Sequence, residues 1–183
     1  MTNLVEIIQN NLGYPALQKI DPNNQETKHF QQTTEEKLAQ SVVPVVLTAI
    51  FKLTRNDIGC RYILSGEKKE DKFRMLYNFK VEEVIERVMK YAGVSAEVVE
   101  TSMKEVANES FKVINKMAGG ATEGKIKDYM SGQRHNILVH LPAAMQLGDL
   151  LKDDTLDDRT NKMEGPVSGF VHRVENIFSG GGE

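Results

Sequence analysis

The chain has 183 residues, 40% hydrophobic and 27% charged, which suits one soluble domain of ordinary size with a real core. Its net charge is −3, and six acids against three bases between positions 149 and 164 account for all of it, leaving the remainder balanced. A neutral body lays down no broad positive field for phosphate backbones or anionic lipid, so nucleic-acid binding is not expected.

In chain order, Met1-Thr2-Asn3-Leu4-Val5-Glu6 has neither a basic region nor a long apolar one, so no signal peptide is read. The cytoplasm is the expected location. Thr2 is expected to cap a short helix that turns Leu4, Ile7 and Ile8 inward and ends before Gly13. Pro15 is placed to open another short turn carrying Leu17 and Ile20. Residues 21–33 are polar and rich in Gln and Asn, a loop or arm.

Thr33-x-x-Glu36 is a capping box: the Thr oxygen meets the amide three residues on, and the Glu reaches back. The helix it opens carries Leu38, Val42, Val45, Val46, Ala49, Ile50 and Leu53, with a kink expected at Pro44. A strand over 42–47 competes, because short β-branched runs suit either state. The longest apolar run, 42–51, is about half of the ~20 residues that span a bilayer. Cys60 is the sole cysteine, which rules out an intrachain disulfide, and its apolar surroundings make it a core side chain.

Val81, Val84, Ile85, Val88 and Met89 form a helical stripe ended by Gly93. Ser95 caps a long helix with Val99, Met103, Val106, Ala107, Phe111, Ile114 and Met117, stopped by Gly119-Gly120. Gly120 or Thr122 starts the next, with Ile126, Tyr129 and Met130 inward, and Pro142 starts another with Met145, Leu147, Leu150 and Leu151. The expected fold is an all-α multi-helix bundle over residues 1–152.

Two stretches, near 34–66 and 95–132, share an order: a long helix, a polar break, a shorter helix and a Ser-Gly end. Val43 matches Ala107, Leu47 matches Phe111, Ile50 matches Ile114 and Leu53 matches Met117, in apolar class rather than identity. They are possible duplicates of one helical unit.

Several patterns imitate reactive sites. Gly119-Gly120-Ala121-Thr122-Glu123-Gly124-Lys125 matches part of a phosphate loop, but a helix precedes it and Ile126 stands where a hydroxyl should bind magnesium. It reads as an interhelical turn. Asp153, Asp157 and Glu164 fall at positions one, five and twelve of a calcium loop whose sixth position, normally Gly, is Asp158. His135 and His140 are five apart, off the spacing that puts two imidazoles on one helix face. No metal, cofactor or catalytic group is assigned, and the scattered carboxylates define no acid pair.

The segment 37–50, with Lys37-Leu38-Ala39-Gln40-Ser41-Val42-Val43-Pro44, resembles the leading segment of the YidB-like proteins, a bacterial family of unknown function. The stretch from Val84-Ile85 to Ala92-Gly93-Val94-Ser95-Ala96-Glu97 resembles that family's helix, Gly-hydrophobic-Ser, helix element. The acidic linker, apolar helix and glycines at the end resemble its C-terminus. Extra charge around 67–74, and Lys and Glu in the second long helix, depart from the pattern. The resemblance covers most of the chain and implies an all-helical fold. It brings no catalytic residues.

After an acidic linker at 153–166, Val167, Phe170, Val171, Val174, Ile177 and Phe178 make one apolar helical face over 167–178, followed by a Gly-rich tail at 179–183. Burying six such side chains gains roughly 9–18 kcal/mol. Ordering about a dozen residues costs roughly 12–24 kcal/mol. Alone, such a helix is unfolded, so it needs a surface: its own domain, a protein partner, a second copy, or a membrane, the last disfavoured because Arg173 is the only fixed cation on its polar face. The expected function is a non-enzymatic scaffold or protein-interaction module. The alternative is a small-molecule binder or enzyme with a pocket between helices.

Overall fold

The computed structural model describes residues 2–20, 32–65, 72–118 and 122–156. Among them are eight α-helices and no strand: α1 (Leu4–Leu12), α2 (Thr34–Leu53), α3 (Asp57–Ser65), α4 (Lys72–Tyr77), α5 (Val81–Ala92), α6 (Ala96–Met117), α7 (Glu123–Leu138) and α8 (Leu147–Leu151). The architecture is an all-α bundle.

Local capping chemistry sets most of the boundaries. Thr33 and Glu36 complete the reciprocal capping box at α2, while Ser95 and Thr122 cap α6 and α7. Gly13 and Gly93 end α1 and α5 at φ 71° and 73°, where a β-carbon would be strained. Asn3, rather than Thr2, caps α1: its side chain accepts from the Val5 amide, and Thr2 lies one residue outside. The chain after Pro15 forms no helix. Its amides go elsewhere, Leu17 to the Gln9 side chain, Gln18 to the Gln40 side chain and Ile20 to the Val139 carbonyl. The helix expected after Pro142 is split: a 3₁₀ turn at Ala143–Met145 ends at Gln146, whose φ of 44° breaks the run before α8.

The centre of the bundle is α2. It packs against α1, α4, α5, α6, α7 and α8, and every residue from 39 to 51 is buried. The competing strand over 42–47 is thus excluded; helix continues through Pro44. A helix buried all round has to hide its polar side chains as well as its apolar ones. Ser41 donates to the Lys37 and Leu38 carbonyls and Thr48 to the Pro44 carbonyl at 2.7 Å, so each hydroxyl is satisfied within its own helix.

No single helix among the described residues is long and apolar enough to cross a membrane. The consecutive pair α2 and α3 passes by composition but is bent by 116°. That bend is tight: Gly59 of α3 lies against the Leu53 carbonyl, leaving no room for a β-carbon. Beside it Cys60 is fully buried, its thiol donating to the Thr54 carbonyl. Of the described side chains expected in the core from the sequence, Met117 is exposed (38%) at the end of α6, and Ile7, Leu17, Leu38, Leu53 and Met89 are only partly buried.

Candidate functional site

The apolar face at Val167, Phe170, Val171, Val174, Ile177 and Phe178 lies outside the described residues, as do the arm at 21–31, Gly119-Gly120 and the chain from 157 onward. What the described residues show is the surface on which the chain emerges.

Packing continues beyond residue 152. Asp153 pairs with Arg55, Thr155 accepts from Arg55 through its hydroxyl and from Arg134 through its carbonyl, and Leu156 is fully buried. The last described residues, 153–156, are therefore pinned to the body. Arg55 and local bonds to Thr155 hold the Asp153 carboxyl below its usual range, against the opposing pull of its partial burial.

Residues 150–152, just before this pinned segment, help to line an open groove of about 400 Å³. One wall is the C-terminal end of α2, with Ala49, Lys52, Leu53 and, just past it, Asn56. Another is α8, with Leu150, Leu151 and then Lys152, whose φ of 54° turns the chain away. Lys52 donates to the Leu151 carbonyl and ties these two walls together. The third wall runs from Met75 through Tyr77 to the 3₁₀ turn Asn78–Lys80. Tyr77 is buried, donates to the Val45 carbonyl at 3.0 Å and meets Phe73 edge-on at 5.4 Å. Burial drives its phenol well above the usual range, so it anchors the wall as a neutral group. Asn78 sits at φ 48°, a conformation Asn tolerates better than most residues, and the turn projects Phe79 into solvent at 99% exposure. A phenyl ring in full contact with water beside an apolar groove is the most conspicuous unspent hydrophobic group among the described residues.

A second depression, of about 590 Å³, is lined by Glu83, Glu86, Arg87, Lys90, Tyr91 and Gln146 among others. Its central cation is committed: Arg87 donates to the Met145 and Gln146 carbonyls and to Glu83. It braces the turn before α8.

The groups singled out in the sequence as potentially reactive fall into structural positions. Burial pushes the Cys60 thiol up, which makes it a poorer nucleophile. His140 is buried with Nδ1 2.7 Å from the Asn136 carbonyl, whereas His135 is exposed. Thr122 accepts from the Lys125 amide, so the described part of the phosphate-loop lookalike is a helix cap. Among the described residues, no three His, Cys, Asp or Glu side chains gather closely enough to hold a metal ion.

Sequence reasoning missed two buried glutamines. Gln40 of α2 bonds both the amide and the carbonyl of Gln18 and donates to the His140 carbonyl. Gln133 of α7 accepts from the Leu4 amide and donates to the Thr2 carbonyl. Each clamps the N-terminal segment to the body. No known family, curated protein or solved structure matches the chain in sequence or fold comparisons.

Proposed function

We propose that this chain is a non-enzymatic helical scaffold that holds a protein partner, or a second copy of itself, through residues 167–178. The observation that carries the reading is how its buried polar groups are used. Gln40 and Gln133 bond the backbone of remote segments and so hold the fold together, Ser41, Thr48, Thr54 and His140 bond backbone within their own stretch, and among the described residues the buried hydroxyls of Ser110 and Tyr129 are left without a hydrogen-bond partner. A site for chemistry between helices needs convergent polar groups left free for a ligand.

The proposal includes the duplication. α2 followed by α3 and α6 followed by α7 have the same long-then-short order, and the units pack long on long and short on short. Against this symmetry, α2 is enclosed while α6 keeps one face in water. Duplication requires the backbones of 34–65 and 95–132 to superpose with Leu47 over Phe111; a shifted register would remove it. Membership of the YidB-like family belongs to the same proposal and rests on the segments 37–50 and 84–97.

The test is the full-length double variant Phe170→Asp with Val174→Asp, which keeps the chain but makes the apolar face costly to bury. Light scattering and partner capture should show association in the parent and none in the variant, with stability changed by less than about 3 kcal/mol. Unchanged association would sink the reading. So would a larger stability loss, which would make 167–178 part of the core.

A further inference from the structure

We propose that the groove between the Phe79 turn, the end of α2 and α8 is a parking site for residues 167–178 of the same molecule, masking that helix until a partner takes it. This rests on the reading of 167–178 as the interaction element and adds where that element sits in the free protein.

The first support is the exit. Arg55 and Arg134 pin Asp153 and Thr155, and the groove wall Leu150, Leu151 and Lys152 lies only four to six residues before Leu156. Val167 follows Leu156 by eleven residues. Eleven residues of chain span on the order of 18 Å root-mean-square if they take no regular structure, which corresponds to an effective concentration in the millimolar range. A surface at the tether's root is sampled more often than any remote one.

The second support is the match of surfaces. The groove offers Leu53, Met75, Leu150 and Leu151 with Phe79 at its edge, and the segment offers one continuous apolar face with two phenylalanines. Enclosing Phe79 removes a phenyl ring from water that nothing else in the described structure covers. Charge is the third. Lys52, Lys80 and Lys152 line the groove with no acid among the described lining residues, although Lys80 is paired with Glu83 and Lys52 holds the Leu151 carbonyl. Residues 157–183 carry five acids against three bases, and residues 157–166 hold Asp157, Asp158 and Glu164 against Arg159 and Lys162, so charge adds only a small attraction. The docked state is weakly held, because the gain from burying the face and the cost of ordering it are similar. That balance lets a partner displace it.

The chain contains no tryptophan, so Phe170→Trp in the full-length protein gives a single indole reporter. The expected emission is that of a shielded indole, protected from acrylamide quenching and independent of protein concentration. Adding Phe79→Asp should expose the indole to water, and Phe79→Ala should weaken docking about 5-fold, as loss of an aromatic contact at the edge of a groove does. Phe79 touches solvent on nearly all sides, so neither change should alter the melting of the body. An indole that stays shielded in both variants overturns the groove assignment. Shielding that vanishes on dilution overturns docking within one molecule but leaves the interaction reading standing, with a second copy as the partner. An indole exposed at every concentration overturns the parking site, and if partner capture is also absent the interaction reading falls with it.

Discussion

Gln133→Met should detach α1 from the body before the rest of the fold yields. The Leu4 amide is the first donor of α1 and is fully buried, so it has no water to turn to. Asn3 takes the Val5 amide through its side chain and the Ile7 amide through its carbonyl, leaving Leu4 to the Gln133 oxygen at 2.9 Å. Methionine fills nearly the same volume but accepts no comparable bond. Stranding a buried amide costs about 1–3 kcal/mol. The Thr2 carbonyl, which Gln133 also holds at 3.0 Å, belongs to an exposed residue and finds solvent at little cost. The net loss should be about 2 kcal/mol, or about 4–8 °C in Tm for a domain of this size. It should also be local. Amides of α1 should exchange with deuterium about 30-fold faster through a local opening that urea barely promotes, while those of α2 should gain the same factor only through the global, urea-sensitive unfolding. Urea unfolding gives the total and native-state hydrogen exchange gives its location. Gln40→Met is the matched control, loosening the chain around Gln18 and leaving α1 in place. The reasoning fails if Gln133→Met costs less than about 0.5 kcal/mol, or if α1 exchange is unchanged.

Gly59→Ala should cost at least about 3 kcal/mol by denaturant unfolding, because the new β-carbon would lie 2.0 Å from the Leu53 carbonyl oxygen and push α3 off the end of α2. Near-parent stability would show that this bend is not tight. The pH dependence should carry the mark of His140. Burial, with the Lys19 and His135 charges, lowers its pKa below the ordinary 6.5, against the Asn136 carbonyl and Glu6, which raise it. The unfolded state therefore takes up the proton first as pH falls. Stability is full above pH 6.5, drops with a slope of at most about 1.4 kcal/mol per pH unit between there and the folded value, and levels off below it. Subtracting the pH profile of His140→Gln should isolate this segment; superimposable profiles would refute the assignment. The lowered carboxylates act in a separate, more acidic window: the stabilisation of Glu83, Glu100 and Glu109 is lost as pH falls below 4.5 and through their folded values, and that of Asp153 as pH falls below 3.8 and through its own.

The legible parts of the fold were those decided within a few residues. A capping box, a Ser or Thr cap and a left-handed glycine each act over three or four positions, so Thr33, Ser95, Gly13 and Gly93 could be assigned from the sequence, and the start of α7 could be narrowed to Gly120 or Thr122. What failed was decided at long range. Thr2 and Asn3 are both competent caps, and Gln133, 129 positions away, selects between them by taking the Leu4 amide. Pro15 suits a helical first turn, yet Gln40 and Val139 claim the amides that such a turn would need. The periodicity of α2 showed its apolar residues but not that Gln40, Ser41 and Thr48 would be buried too, since burial there depends on how many helices surround it.

The same distinction separates the two halves of the candidate interaction site. The face from Val167 to Phe178 is visible in the sequence because its period is regular and nothing else competes for the pattern. Phe79 gives no such sign there: Met75 and Leu76 lie at helical spacing before it, so its exposure cannot be read from the pattern. Its setting arises only when α2 and α8 converge on the same turn and Asn78 adopts a left-handed conformation that points the ring outward. An amphipathic segment announces that it needs a surface, whereas the surface is assembled from remote pieces. Their pairing is therefore argued best from where the chain leaves the body. Arg55 and Arg134 hold Asp153 and Thr155, so Leu156, the last described residue, is fixed four to six positions past the groove wall at 150–152 and eleven positions before Val167, which is the ground for proposing that groove before any remote surface.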